Sequence, residues 1–248
     1  TSASTTFTMI DDNVSDVDET VIISISSVSG QGVSIGTSSA TVTITDDETV
    51  PSISLAASTT SIAENSGSNI TLTATSSIIS SSDIDVSLAS SGTSTSGSDY
   101  GAISSITIRA GSTTATATFT PTDDSFYDGG NETAIFDISS ISGGSATENG
   151  TQQVTITITD NESAPTVTFT TSANTIAENA GRTITLTATL SGTTYEDVTV
   201  NFTSSGTSTL NDDYTLTTPI TISSGYTTGT AIFTVVNDLM FETNETAI

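Results

Sequence analysis

The sequence predicts an all-β protein, a run of tandem immunoglobulin-like, seven-stranded β-sandwiches stacked end to end. Three observations predict it: apolar residues alternate with polar ones at period two, the same motifs return at a fixed spacing, and no segment keeps a helical period. Ile184, Leu186, Ala188 and Leu190 alternate with threonines, as do Val154, Ile156 and Ile158, and Val198, Val200 and Phe202 follow the same rule. Such runs, bounded by Gly, Asn, Asp and Ser, are the pattern of half-buried strands. Threonine on the outward positions keeps β-propensity without adding apolar surface.

The repeat is legible by eye. SIAENSGSNITLTAT at Ser61 to Thr75 returns as TIAENAGRTITLTAT at Thr175 to Thr189, 114 positions later. The same 114 separates Pro51 from Pro165, Asp99 from Asp213, Asp124 from Asp238 and Asp46 from Asp160. A third register opens the chain, where TTFTMIDDNVSDVDET parallels TATFTPTDDSFYDGGNET and TAIFTVVNDLMFETNET. Three stretches follow: 1–48 is the C-terminal part of a repeat, 51–162 a complete repeat, and 165–248 the N-terminal part of a following one. About seven short strands per period suit a two-sheet sandwich of this size class. The joints, Asp46 to Pro51 and Asp160 to Pro165, lack the Gly/Ser length of a flexible tether, so successive sandwiches are expected to stack stiffly. Two arrangements fit the partial repeats: a window on a longer repetitive chain, or completion of one copy's unfinished domain by residues 1–48 of another.

Composition excludes whole classes of function. The chain has 28 carboxylates against two arginines, no Cys, no His and no Lys, for a net charge of −26. Nucleic acid and anionic lipid surfaces would be repelled. There is no Ser-His-Asp or Cys-His pair, no thiolate, no Schiff-base lysine and no ordinary zinc site, so no enzyme is expected. No stretch approaches the roughly 18 apolar residues of a membrane span, so no membrane insertion is expected. The abundant ligands are hard oxygens, which suit calcium or magnesium.

The carboxylates are not spread evenly. Asp83, Asp85, Asp137, Glu148, Glu196 and Asp197 lie outside the repeated motifs, and the other 22 of the 28 fall at four recurring places. These are the Glu of IAEN, the Asp before Tyr, an acidic hairpin after the TFT-type strand, and the strand-end run before each joint. Turns distant in sequence converge at one pole of a sandwich, and carboxylates gathered there repel one another without a cation. Calcium accepts six to eight oxygens in loose geometry, which converging loops can supply; magnesium wants a stricter octahedron. The competing reading is a set of solvated acidic turns, since Asp and Asn favour turns in any case.

IAEN, then Asp99-Tyr100 or Asp213-Tyr214, then the DD…NE hairpin, then V-T-I-x-D-x-E together resemble the Calx-beta domain over nearly the whole chain. The resemblance implies a seven-stranded sandwich that binds several calcium ions (Ca2+) at one end. Carried over position by position, it implies as ligands Glu64, Asp99, Asp123, Asp124, Asp128, Asp160 and Glu162 in the complete repeat. In the preceding partial repeat it implies Asp11, Asp12, Asp16, Asp46, Asp47 and Glu48, and in the following one Glu178, Asp213, Asp238 and Glu242. Asn161 and Asn237 stand where the pattern has acids, which lowers the charge at those points.

The expected function is an extracellular, secreted or cell-surface structural protein, a calcium-stiffened rod, stalk or filament for attachment or matrix. Its partners are then neighbouring repeats or copies of itself in a fibre-like assembly. Two rivals are a calcium-sensing regulatory module and a ligand-binding adhesin, whose partners would be cell-surface or carbohydrate ligands. Seven N-x-S/T triplets, at Asn13, Asn69, Asn131, Asn149, Asn161, Asn201 and Asn244, leave glycosylation open.

Overall fold

The computed structural model describes residues 2–238, 240–241 and 243–248. Strands dominate, and two single 3-10 turns, Glu64–Ser66 and Glu178–Ala180, are the helical elements of the described residues. In chain order the strands are β1 (Val14–Ser15), β2 (Glu19–Ser24), β3 (Ser39–Ile44), β4 (Ser52–Ala57), β5 (Ser61–Ala63), β6 (Ile70–Ser76) and β7 (Ile79–Ser80). They continue with β8 (Ile84–Gly92), β9 (Ser105–Ile108), β10 (Thr114–Phe119), β11 (Phe126–Tyr127), β12 (Glu132–Ser142), β13 (Thr147–Glu148) and β14 (Gln153–Thr159). The last are β15 (Val167–Thr171), β16 (Thr183–Leu190), β17 (Thr193–Thr194), β18 (Val198–Val200), β19 (Tyr214–Leu216), β20 (Ile220–Ile222) and β21 (Thr228–Val235).

By compactness the chain divides into two units. The first holds the residues up to Ile62, Gly67–Thr122 and Thr133–Thr157; the second holds Ala63–Ser66, Asp123–Glu132 and Ile158–Ile248. In the first, a four-stranded sheet runs β10-β6-β4-β13, and most of a five-stranded sheet, β5-β14-β12-β8-β9, belongs to the same body. The period-two alternation becomes alternating burial: Ile70, Leu72 and Ala74 on β6 and Ile84 and Val86 on β8 are fully buried, while the intervening Thr71 and Asp85 face solvent. Phe119 on β10 and Phe136 on β12 join the two sheets through ring centroids 6.0 Å apart, and Tyr100 packs on both at 5.0 and 5.8 Å. This aromatic trio, with the aliphatic rows of β4, β6, β8, β9 and β14, is the core of the sandwich.

Glycine at 92 is required by this packing. Its φ is +115°, and a Cβ there would collide with the Thr133 carbonyl, so β8 and β12 can approach only at a residue without a side chain. Gly206 repeats the arrangement in the second unit, at φ +123° against the Thr246 carbonyl.

The earlier stretch adds a two-stranded hairpin, β2-β3, and the short β1, which pairs in parallel with β7 through Val14↔Ile79 and Ser15↔Ser80. The second unit contains the sheet β15-β16-β21-β19 and the two-stranded β18-β20, packed over Ile184, Leu186, Ala188, Leu190, Ile220, Ile222 and Ala231. Inside it, β11 pairs in parallel with β17 through Phe126↔Thr193 and Tyr127↔Thr194. The β1–β7 and β11–β17 pairs are the same device one period apart: the acidic hairpin of one repeat lays a two-residue edge on the next.

Candidate metal centre

The pole begins with the 3-10 turn that follows β5. Isoleucine at 62 is buried, and the turn that leaves it carries Glu64 inward, to 7% exposure. The end of β14 brings Asp160 and Glu162 to the same place from almost a hundred residues away. Oxygens of Glu64, Asp160 and Glu162 all lie within 4.8 Å of one another. The local backbone holds them: Glu162 N donates to Asp160 Oδ1 at 2.7 Å, Asp128 N to Asp160 Oδ2 at 3.1 Å, and Asn161 N to Glu64 Oε1 at 3.2 Å. The Asn161 side-chain amide donates to Glu162 Oε1 at 2.6 Å, while Glu162 Oε2 is buried and receives no donor.

Three acids with so few donors disfavour full ionisation. Burial pushes the Glu64 carboxyl up to about 7, and the adjacent Glu162 and Asp160 push in the same direction against the Asn161 amide. Arg109 is engaged elsewhere, paired with Asp83 at 2.7 Å. Oxygen-only ligands, a buried acceptor without a donor and a carboxyl raised by burial beside two other acids fit a hard divalent cation. If one binds here, Glu64, Asp160 and Glu162 are the side chains positioned to hold it.

A second triad, Asp11, Asp47 and Glu48, gathers within the same 4.8 Å in the first partial repeat, at more exposed positions. The Glu48 carboxyl is raised by its hydrogen bond with Asp46 and by the nearby charges. Asp46 there accepts from Asp16 N at 3.3 Å, as Asp160 accepts from Asp128 N. The triads differ because Asn161 occupies the place of Asp47. Its amide binds Glu162, and Asp123, which matches Asp11, stays exposed outside both clusters.

Other implied ligands do backbone work. Asp12, Asp124 and Asp238 each accept the amide two residues on, from Val14 at 2.9 Å, Phe126 at 2.7 Å and Met240 at 2.6 Å. These Asx turns aim the hairpin edge that becomes β1 and β11. Asp99 and Asp213 accept from Thr95 N and Thr209 N respectively. Glu178 is exposed and accepts from Asp238 N at 2.9 Å. Glu242 lies outside the described residues. Asp18 was not among the ligands the motifs implied, yet its carboxylate accepts from Asp46 N at 3.2 Å. The density of acids in DVDET was the available signal.

The Calx-beta domain model matches residues 2–48, 46–162 and 160–247. The chain belongs to the Calx-beta domain family. Calx-beta domains are calcium-binding modules, and here they stand in tandem. Similar solved structures include "CBD12 from CALX1.2", at 17% identity over 73% of each chain with a TM-score of 0.36. The "Apo-form Calx CBD1 domain" is matched at 17% identity over 44% of this chain and 98% of that one, TM-score 0.38. "Calcium binding domain CBD12 of CALX1.1" gives 17% identity over 72% and 73%, TM-score 0.36. Among curated proteins none matches. Among the described residues no helix of this Calx-beta array is long and apolar enough to cross a membrane.

Proposed function

We propose that the chain is an extracellular structural array whose poles bind calcium and thereby stiffen the joint between repeats, as in a rod, stalk or filament. One observation carries this reading: the carboxylate cluster and the edge strand that reaches the next repeat are held by the same residues. Asp160 accepts from Asp128 N, and β11 ends one residue before Asp128. Asp124 turns the chain into β11, β11 pairs with β17, and Thr193 Oγ1 donates to the Ser125 carbonyl at 2.7 Å.

A bound calcium would neutralise Glu64, Asp160 and Glu162 and fix the loop that carries β11. At ten times its dissociation constant each ion stabilises the folded state by roughly 1.4 kcal/mol, and sites add. Millimolar calcium outside cells suits weak sites of about 10⁻⁴–10⁻³ M.

The test is a calcium titration of the full chain, following both the unfolding midpoint and small-angle scattering. A higher midpoint together with a narrower distribution of dimensions supports the reading. A higher midpoint with unchanged dimensions would leave calcium binding but remove the stiffening role. No response to calcium would reduce the pole to solvated turns.

A further inference from the structure

The loop between β13 and β14 closes one edge of β4. That strand pairs with β6 along one side, and along the other it meets β13 in parallel through Thr147↔Ser52 and Glu148↔Ile53. Thr147 N donates to the Pro51 carbonyl and Asn149 N to the Ile53 carbonyl, each at 2.9 Å. The next rung is a side chain: Leu55 N donates to Gln152 Oε1 at 3.1 Å. Two further bonds hold Gln152 in place, its N donating to Glu148 Oε1 and its Nε2 to the Asn149 carbonyl at 2.6 Å. Ile53 and Leu55 are core residues, so this loop guards the backbone of a buried strand.

At the tip stand Asn149 and Gly150. Of the twelve asparagines in the chain, Asn149 is the only one followed by glycine. Three features of the loop favour attack of the Gly150 nitrogen on the Asn149 side chain. Glycine has no Cβ to block the approach, and no heavy atom beyond its chain neighbours lies within 4 Å of where a Cβ would stand. Both residues are exposed, and Gly150 N donates to no group among the described residues, so no hydrogen bond has to break first. The Gln152 amide also stabilises the negative charge that the Asn149 carbonyl oxygen takes up as the Gly150 N–H gives up its proton. The turn 114 positions earlier reads Ile35-Gly36, which keeps the glycine and lacks the side-chain amide.

We propose that Asn149 is a self-modification site, converted by water alone to aspartate and isoaspartate, and that the isoaspartate form releases the edge of β4. Gly150 N bonds to Asn149 Cγ, the Cγ–Nδ2 bond breaks, and ammonia leaves with the proton from Gly150 N. The five-membered imide then takes up water. Hydrolysis at Cγ gives aspartate. Hydrolysis at the main-chain carbonyl gives isoaspartate, whose backbone runs through Cβ and Cγ and is one carbon longer. That extra carbon moves Gln152 out of register with Leu55 N, and an uncovered strand edge is a template for pairing with another chain. The proposal does not rest on the calcium reading.

The full chain, aged while folded at mildly alkaline pH and then cleaved after Glu148 and Glu162, yields a 149–162 peptide whose mass spectrum tests the reaction. The expected result is loss of ammonia followed by gain of water at Asn149, with Asn161 in the same peptide unchanged. Gln152→Glu keeps an acceptor for Leu55 N but removes the donor to the Asn149 carbonyl. It is expected to slow conversion about tenfold in the folded chain, the worth of one hydrogen bond to a charged group, and to make no such difference in urea. Hydrogen exchange at Leu55 N should be faster in the isoaspartate form than in the parent. Retention of Asn149 in the folded chain would overturn the proposal, as would conversion of Asn161 at the same rate. A folded Gln152→Glu chain that converts as fast as the parent would overturn the part given to the loop. Leu55 exchange unmoved by isoaspartate would overturn the release of the edge.

Discussion

Replacing Glu64 by Gln should make the calcium-free protein more stable and the calcium-loaded protein less responsive. Glu64 is 7% exposed and faces Asp160 and Glu162, and its carboxyl is raised from 4.5 to about 7. Each unit of pKa is worth about 1.4 kcal/mol, so near pH 8 ionised Glu64 opposes folding by about 3 kcal/mol. Glutamine keeps the shape and the Oε1 acceptor for Asn161 N, so removing the charge should return most of that. For a cooperative unit of 100–150 residues this is a rise of roughly 10 °C in Tm. With calcium the difference narrows, because the ion loses a charged ligand and up to roughly 1.4 kcal/mol of its stabilisation at tenfold excess is lost. Thermal unfolding of both chains in EGTA and in millimolar calcium is the assay. A Glu64→Gln chain destabilised in EGTA would refute the reasoning, since Glu64 would then be an ordinary structural acceptor.

The same raised carboxyl sets a pH dependence. In EGTA the folded state holds a proton that the unfolded state releases above about pH 4.5, so Glu64's contribution is full below that pH and is lost as pH rises through about 7; urea midpoints at about pH 5 and pH 8 should fall in that order, and excess calcium should reverse the trend. Asp124→Ala removes the acceptor for Phe126 N, costs about 1 kcal/mol, and should speed hydrogen exchange at Tyr195 N, which donates to the Tyr127 carbonyl, without affecting the Ile156 amide. Phe136→Ala empties the centre of the aromatic trio and should cost about 3–5 kcal/mol in chemical unfolding, with or without calcium. Magnesium at equal concentration should raise Tm far less than calcium, because it sheds water reluctantly and demands an octahedron.

The strands were legible because burial on one face forces period two, and the repeat because motifs such as IAEN recur intact. Glu64 and Glu162 entered the ligand set through the Calx-beta resemblance, whereas sandwich topology alone says only that distant turns can converge at one pole. Sequence could not show which acids gather. Asp12, Asp124 and Asp238 look identical to the clustered acids in a motif, and the turn geometry shows each accepting the amide two residues on, outside the two triads. Nor could it show that Asn161 turns its amide onto Glu162 or that Asp123 stays exposed outside the cluster. The parallel edges β1–β7 and β11–β17 were also hidden, since two-residue strands have no periodicity to detect.

The Glu64 cluster draws one carboxylate from the start of a repeat and two from its end. It can therefore form only when the sandwich is closed, and Glu178 shows the contrast. That residue occupies the place of Glu64 but is exposed, accepts from Asp238 N and joins no carboxylate cluster among the described residues. Closure and cation binding would then be one event. Calcium would strengthen a repeat whose first turn and last strand meet at the pole, and would do little where they do not.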